Sequence, residues 1–298
     1  MTDPTNDERR RGWIIVALTY LGAAIAAWAT VHWLPDSMHP LWKAAIADGV
    51  GTLVVFAWSV AHDNTSLYDP YWSVAPLLIA PWLALRPEAV DAVTVRQLLV
   101  LTVVFAWGLR LTFNWLRHWR GTSHEDWRYV DLRRSTGRAY LPVSLLGLHL
   151  MPTVMVFLGC LSLWPALVTG TAPLGGLDAL GAAVAFGAVA CEAVADQQLH
   201  RFRQSRPPAD AILDTGLWGW SRHPNYFGEI MLWWGLWLLG LSASPGTWWP
   251  LVGPVAITGL FTFISIPLIE ARMRARRPRW AEHCGRVSVL IPRPPKRR

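Results

Sequence analysis

Apolar runs close to the length that crosses the hydrocarbon core of a bilayer, about 20 residues, alternate with short polar segments along the whole chain. Eight such runs cover roughly 13 to 34, 43 to 61, 71 to 86, 94 to 116, 143 to 168, 175 to 199, 226 to 242 and 246 to 269. Each predicts a helix, because backbone N–H and C=O groups in lipid must pair within their own segment. The third run is short and carries Pro76 and Pro81, which predict kinks; Pro245, Pro250 and Pro254 predict a tight turn and an irregular start between the last two runs, a short helical hairpin. The expected fold is an all-α, polytopic transmembrane bundle of about eight spans.

Composition agrees with that solvent. The 298 residues are 53% hydrophobic and 16% charged, with 20 Trp and a mean hydropathy of +0.27, whereas soluble domains carry about 25% charged residues. Cys160, Cys191 and Cys284 are odd in number and fit no CxxC spacing, so neither a disulfide framework nor a zinc site is expected. The histidines, among them His32, His39 and His149, stand singly, without HxxxH or HExxH spacing, and no metal is expected. Met1 to Asp7 lacks the basic start of a signal peptide.

Charge sets an expected orientation, since Lys and Arg beside spans favour the cytoplasm. With an inside N-terminus, the inside segments hold 24 of the 27 Lys and Arg, and the outside ones only Lys43, Arg86 and Arg96. Both termini are therefore expected in the cytoplasm. The net charge of +7 then reads as anchoring beside anionic lipid and attraction for an anionic cofactor. Nucleic acid is not an expected partner, because no soluble basic domain carries the charge, and nothing implies a protein partner.

Two polar loops hold the unusual chemistry. The first, 117 to 142, contains Arg117-His118-Trp119-Arg120 and His124-Glu125-Asp126-Trp127-Arg128-Tyr129. It reads either as an interfacial belt of aromatic and snorkelling side chains or as a lid whose guanidinium forks pair with phosphate. The second, 200 to 225, follows a helix expected over Ala182 to Phe202, on which Glu192, Asp196 and Arg203 share one face. Charges so aligned on a membrane helix face the bundle interior or a wet cavity, or, more simply, Asp196 pairs with His200 one turn on. Next comes the densest polar block of the chain, Trp220 to Glu229, set directly against the apolar run Ile230 to Leu241. Pro224 suits the first turn of a helix there, placing Ser221, Arg222 and His223 at an N-terminus able to bind an anion. Glu229 lies on the same face as Asn225 and Tyr226, placed to accept from a ligand or to hold Arg222.

The stretch Gly216-Leu217-Trp218-Gly219-Trp220-Ser221-Arg222-His223-Pro224-Asn225-Tyr226-Phe227-Gly228-Glu229 resembles the C-terminal motif of the steroid 5-alpha-reductase-like membrane enzymes, including bacterial members of uncharacterised substrate. Glu192 to Leu199, Ile266 to Glu270 and Ile291-Pro292 are similar too, and the resemblance runs from about Asp63 to Pro292. It implies a seven-span bundle over residues 43–298, with residues 1–42 an N-terminus and one extra helix in front. It also implies NADPH at the cytoplasmic mouth and hydride delivery to the carbon–carbon double bond of a lipophilic enone. By position Asp196, Arg203, Asn225 and Glu229 match the cofactor pattern, together with His223 and Tyr226 beside them, and Arg110 and Asn114 match its second cofactor-contacting helix. Arg203, Arg222 and Arg272 are the candidates for the ribose phosphate.

The chain departs from the family where the chemistry is done. Instead of a Gln-Glu pair and a Tyr on the next helix, it offers Tyr68 and Asp69 within Asn64-Thr65-Ser66-Leu67-Tyr68-Asp69-Pro70-Tyr71-Trp72, and Phe105-Ala106-Trp107 without a tyrosine. A Tyr hydroxyl or a neutral carboxylic acid can protonate a developing enolate, and Asp69 would need burial to raise its pKa. Asp69-Pro70 is equally open to a reading as a helix cap. The Arg222 to Glu229 block with its hairpin also resembles isoprenylcysteine and phospholipid methyltransferases, which use S-adenosylmethionine. A non-catalytic lipid-binding protein is a third alternative.

Overall fold

A computed structural model describes residues 6–119 and 121–296; Met1 to Thr5, within the segment read for a signal peptide, Arg120 of the first polar loop, and Arg297 and Arg298 of the basic tail lie outside the described residues. The helices are α1 (Asn6–Trp33), α2 (Pro40–Ala61), α3 (Tyr71–Ala84), α4 (Thr94–His118), α5 (Trp127–Thr136), α6 (Tyr140–Val143), α7 (Met151–Cys160), α8 (Gly176–Gln204), α9 (Pro224–Ala243), α10 (Val252–Leu260), α11 (Ile266–Arg276) and α12 (Trp280–Arg286). Wide π turns, Ser144–Leu150 and Phe261–Ser265, join α6 to α7 and α10 to α11. Among the described residues no strand forms, and the single extended pairing is between Ser221 and Ser288.

Six helical stretches are long and apolar enough to cross a membrane: Asp7–Trp33, Pro40–Ala61, Thr94–His118, Trp127–Thr169, Gly176–Gln204 and Trp249–Arg276. The two further expected runs are helical as well. At 14 residues α3 spans only about 21 Å at 1.5 Å per residue. The 20-residue α9 opens on the polar block and carries Trp233, Trp234 and Trp237, which lower its hydropathy.

The chain divides into two compact units, one of residues 1–85 and 107–161, the other of 86–106 and 162–298. In the first, α1 packs along α2, and Tyr20 on α1 donates to the main-chain oxygen of Leu67, 3.0 Å away, tying α1 to the turn that carries Tyr68. In the second, α8 and α9 meet through small residues, as helices do in lipid, where close backbone approach replaces the hydrophobic drive. A Cβ on Gly235 would stand 2.7 Å from the nitrogen of Ala185, and one on Gly228 would stand 2.9 Å from Cβ of Glu192. The same unit buries Arg96 completely: it donates to Asp178 (2.6 and 3.0 Å) and to the oxygens of Ala172 and Pro173, while Asp178 also accepts from Ser242 and Gly175. Arg96 is thus a clamp between α4 and the start of α8, not merely a flanking charge.

Candidate functional site

In the unit of residues 86–106 and 162–298, the polar block is a latched turn followed by a helix start. Gly216 takes φ +60°, a conformation that glycine adopts without strain, and a Cβ there would stand 2.4 Å from the Gln198 amide. Leu217 N donates to Gln198 Oε1 (3.0 Å) and Trp218 Nε1 to the oxygen of Ala195 (2.9 Å), so the turn sits on the charged stretch of α8. Pro224 opens α9 as its first residue. On α8, Glu192 is buried against Gly228 of the block, Asp196 is half-buried, and Arg203 is exposed beyond them.

Glu270 is the hub of this region and was absent from the candidate set. Its Oε1 accepts from Arg222 Nε (2.8 Å) and His223 Nε2 (2.9 Å), and its Oε2 from Trp280 Nε1 (3.0 Å) and Cys284 Sγ (3.5 Å). Arg222 NH1 donates to the oxygens of Cys284 and Val287, both 3.1 Å away, while Ser221 Oγ donates to the oxygen of Leu290. Arg222 thus closes the C-terminal segment over the block instead of standing open at the helix start. Burial, reinforced by Glu270, pushes the Cys284 thiol up, away from the reactive thiolate.

His223 stacks on Tyr226 with centroids 5.5 Å apart, and Tyr226 lies against Phe261 at 4.7 Å. Asn225 is half-buried in the first turn of α9; Glu229, buried below it, accepts from Trp233 Nε1 at 2.9 Å. Arg272, on α11, is half-buried. Two other guanidinium groups have the open valence expected of anion ligands: Arg277 NH1 and Arg286 Nε are buried atoms without a hydrogen-bond partner among the described residues. Burial lowers Arg277 from its ordinary pKa, opposed by Asp210. No spacing rule marks these two within a run of ten cations.

In the unit of residues 1–85 and 107–161, Asp69 does not cap α3, whose cap position is Pro70 without a side-chain bond. Its carboxyl accepts from the Tyr129 hydroxyl instead. Burial pushes Asp69 up to about 6 from an ordinary 3.8, against the pull of Arg128 and the Tyr129 bond. The first polar loop is pinned to the same turn: Asn64 Nδ2 donates to the oxygens of Thr122 and His124, Glu125 Oε1 accepts from Thr65 N, and Ser66 Oγ accepts from Asp126 N. Asp126 also caps α5 through Arg128 N, and Arg133 pairs with Glu125 and Asp63. Arg110 and Asn114 sit half-buried on α4, with Arg117 donating to Asn114 Oδ1 at 3.0 Å.

Tyr68 points into a buried hydroxyl cluster. Its OH lies 2.7 Å from Thr153 Oγ1, which lies 2.8 Å from Thr52 Oγ1. Its ring stacks on Tyr71 at 5.3 Å, and the Tyr71 hydroxyl donates to the Asp48 main-chain oxygen and Oδ1, both 2.9 Å away. Gly51 makes the room, since a Cβ there would meet that hydroxyl at 2.6 Å. Asp48 is 6% exposed, and its Oδ2 has no hydrogen-bond partner among the described residues. Sequence reading missed Asp48, although a lone Asp inside an apolar run is the standard pointer to an intramembrane site.

Comparison with known proteins gives the family. A model described as a protein family of unknown function, DUF1295, matches residues 55–285. The chain belongs to that family. It is also similar to the uncharacterized protein C594.04c of Schizosaccharomyces pombe, 24% identical over 264 residues that cover 80% of this chain and 76% of the relative. No solved structure matches. This DUF1295 member is an all-helical membrane protein, and the matched region holds Tyr68, Tyr71 and Thr153, the polar block and Glu270, while Asp48 and Thr52 lie just before it.

Proposed function

We propose that the protein is an NADPH-dependent reductase of the carbon–carbon double bond in a lipophilic enone, a 3-oxo-Δ4-steroid or another isoprenoid or fatty enone. The reading places it as an eight-span bundle in a bacterial inner membrane, with both termini and the cofactor mouth cytoplasmic. Asp48 carries it: a buried carboxyl oxygen without a partner among the described residues, on a carboxyl bonded to the Tyr71 hydroxyl, whose ring stacks on Tyr68, suits an oxygen on an otherwise apolar ligand.

The residues present fit an anionic dinucleotide. The orphaned guanidinium N–H groups of Arg277 and Arg286 would pair with phosphate oxygens, alongside Arg203 and Arg272. Asn225 and Tyr226 at the α9 start, Asp196 and Glu229, and Arg110 and Asn114 on α4 are the further binding candidates, carried by the resemblance. When bound, NADPH would supply the hydride for the β-carbon of the enone. Negative charge then grows on the carbonyl oxygen, where the Tyr68 hydroxyl donates its proton and Asp48, as a neutral carboxylic acid, donates from Oδ2 while Tyr71 holds its Oδ1. Asp69 acts as a positioning residue, anchoring the Tyr68 turn to Tyr129.

Binding of NADPH and of S-adenosylmethionine to purified protein tests this reading. NADPH binding with hydride transfer to an enone is expected; S-adenosylmethionine binding without NADPH binding would replace it by the methyltransferase alternative.

A further inference from the structure

A cavity of about 50 Å³ opens in the unit of residues 1–85 and 107–161, beside the Tyr68 cluster but outside the candidate set. At about 15 Å³ for each water, it has room for a few molecules. Its polar lining is Asp63, Thr65, Arg133 and Tyr140 together with Ser59 and Ser144. The first four make an outer group: the Asp63 side chain is 83% exposed and pairs with Arg133, whose guanidinium lies 4.2 Å over the Tyr140 ring, and Thr65 Oγ1 lies 2.6 Å from Tyr140 OH.

The two serines hold the ring of His149, which is fully buried on the π turn between α6 and α7. Nδ1 lies 2.9 Å from the main-chain oxygen of Ser144, and Nε2 lies 3.4 Å from Ser59 Oγ. A carbonyl oxygen only accepts, so Nδ1 carries the hydrogen and Nε2 is left to accept from Ser59. The wide turn places this ring: π segments recur at functional positions because they displace one residue from the regular helical register. Beyond the ring lies Tyr68, with centroids 4.8 Å apart, and Thr153 Oγ1 joins the Tyr68 hydroxyl (2.7 Å) to the main-chain oxygen of His149 (2.9 Å). His149 is thus in contact with two cavity-lining serines and with the tyrosine.

We propose that this cavity is a water-filled proton inlet and that His149 passes protons from it, through Ser59, to the Tyr68 hydroxyl cluster. Its catalytic use rests on the reductase reading. Reduction of an enone consumes one hydride and one proton. The C–H bond at the β-carbon forms with the hydride, and Tyr68 yields its phenolic proton to the enolate. The O–H bond of Tyr68 is restored by the Nε2 proton of a protonated His149, whose ring turns from Ser59 towards the tyrosine it packs against and returns to its neutral form. That Nε2 proton comes from cavity water by way of Ser59 and is replenished from solvent at the Asp63 end. Nδ1 keeps its own proton, which it donates to the Ser144 oxygen while Nε2 faces Ser59.

Two measurements on the full-length purified protein test the inlet separately from the reductase reading. With ring-¹⁵N histidine, exchange between water and the His149 ring protons is read by NMR, the signal being assigned by its loss in His149→Gln. Exchange is expected in the parent protein, suppressed in Ser59→Val, which fills the cavity with methyl groups, and restored in Ser59→Thr, which keeps the hydroxyl. Absence of exchange in the parent, or equal exchange in Ser59→Val, overturns the inlet whatever the protein catalyses. With NADPH and an enone, Ser59→Val is expected to lower turnover about a hundredfold, enlarge the solvent isotope effect and leave NADPH affinity unchanged. Unaltered turnover and isotope effect in Ser59→Val overturn the proton role. Water exchange without any enone turnover in the parent supports the inlet and removes the reductase reading alone.

Discussion

Asp69 and Tyr68 are neighbours in sequence with opposite surroundings. Asp69 is bound to Tyr129 and held near 6 by burial, whereas Tyr68 faces the Thr153–Thr52 hydroxyls. On the proposed chemistry, Tyr68→Phe leaves NADPH binding intact and lowers turnover about a hundredfold or more, measured by stopped-flow oxidation of NADPH. Asp69→Asn is expected to cost less in turnover, and full activity in Tyr68→Phe would move the donor elsewhere. Asp69 also predicts a pH dependence of stability. Its folded pKa of about 6 stands above the ordinary 3.8, so between those values the folded state holds a proton that the unfolded state has released. The contribution is therefore fully present below about 3.8 and lost as pH rises to about 6. Thermal unfolding across that window should show a decline that Asp69→Asn removes.

At the scale of elements, the α8–α9 seam and the C-terminal clasp set the geometry of the polar block. Gly235→Val would drive a side chain into Ala185, and overpacking of this kind costs about 1–3 kcal/mol; a lowered denaturation midpoint is the expected result, with Gly246→Ala, which meets nothing within 4 Å, as the control. Glu270→Gln keeps the shape but leaves Arg222 without its carboxylate. Removing one partner of a buried pair costs about 3–5 kcal/mol, and the release of 280–296 from the block should appear as faster amide hydrogen exchange in that segment. The clasp also explains why Arg222 was a poor phosphate candidate. Its fork meets Glu270 and two carbonyls contributed by residues 48 to 65 positions away, a distance over which no local spacing rule operates. The capping alternative for Asp69 likewise needed the position of Tyr129, 60 residues on.

Across the whole molecule, the pattern of apolar runs determined most of the architecture. All eight expected runs are helical, six of them with the length and hydropathy to span a bilayer, because in lipid the helix is the local solution to backbone hydrogen bonding. The basic loops predict that the protein reconstituted with anionic lipid retains more stability than in zwitterionic lipid, an advantage that added salt should reduce, measured by thermal unfolding in the two membranes. The sequence by itself also located the α8 face and the Trp220–Glu229 block, since those signals lie within a turn or two of helix, where periodicity decides what shares a face. Tertiary structure alone decided which of these polar groups are already engaged and which keep an open valence. Arg222 is closed by Glu270, while Arg277, Arg286 and Asp48 keep buried atoms without partners among the described residues. The physical reason is that hydrogen-bond satisfaction is a property of the packed neighbourhood: residue type gives each side chain its donors and acceptors, and only the fold determines what stands within 3 Å of them.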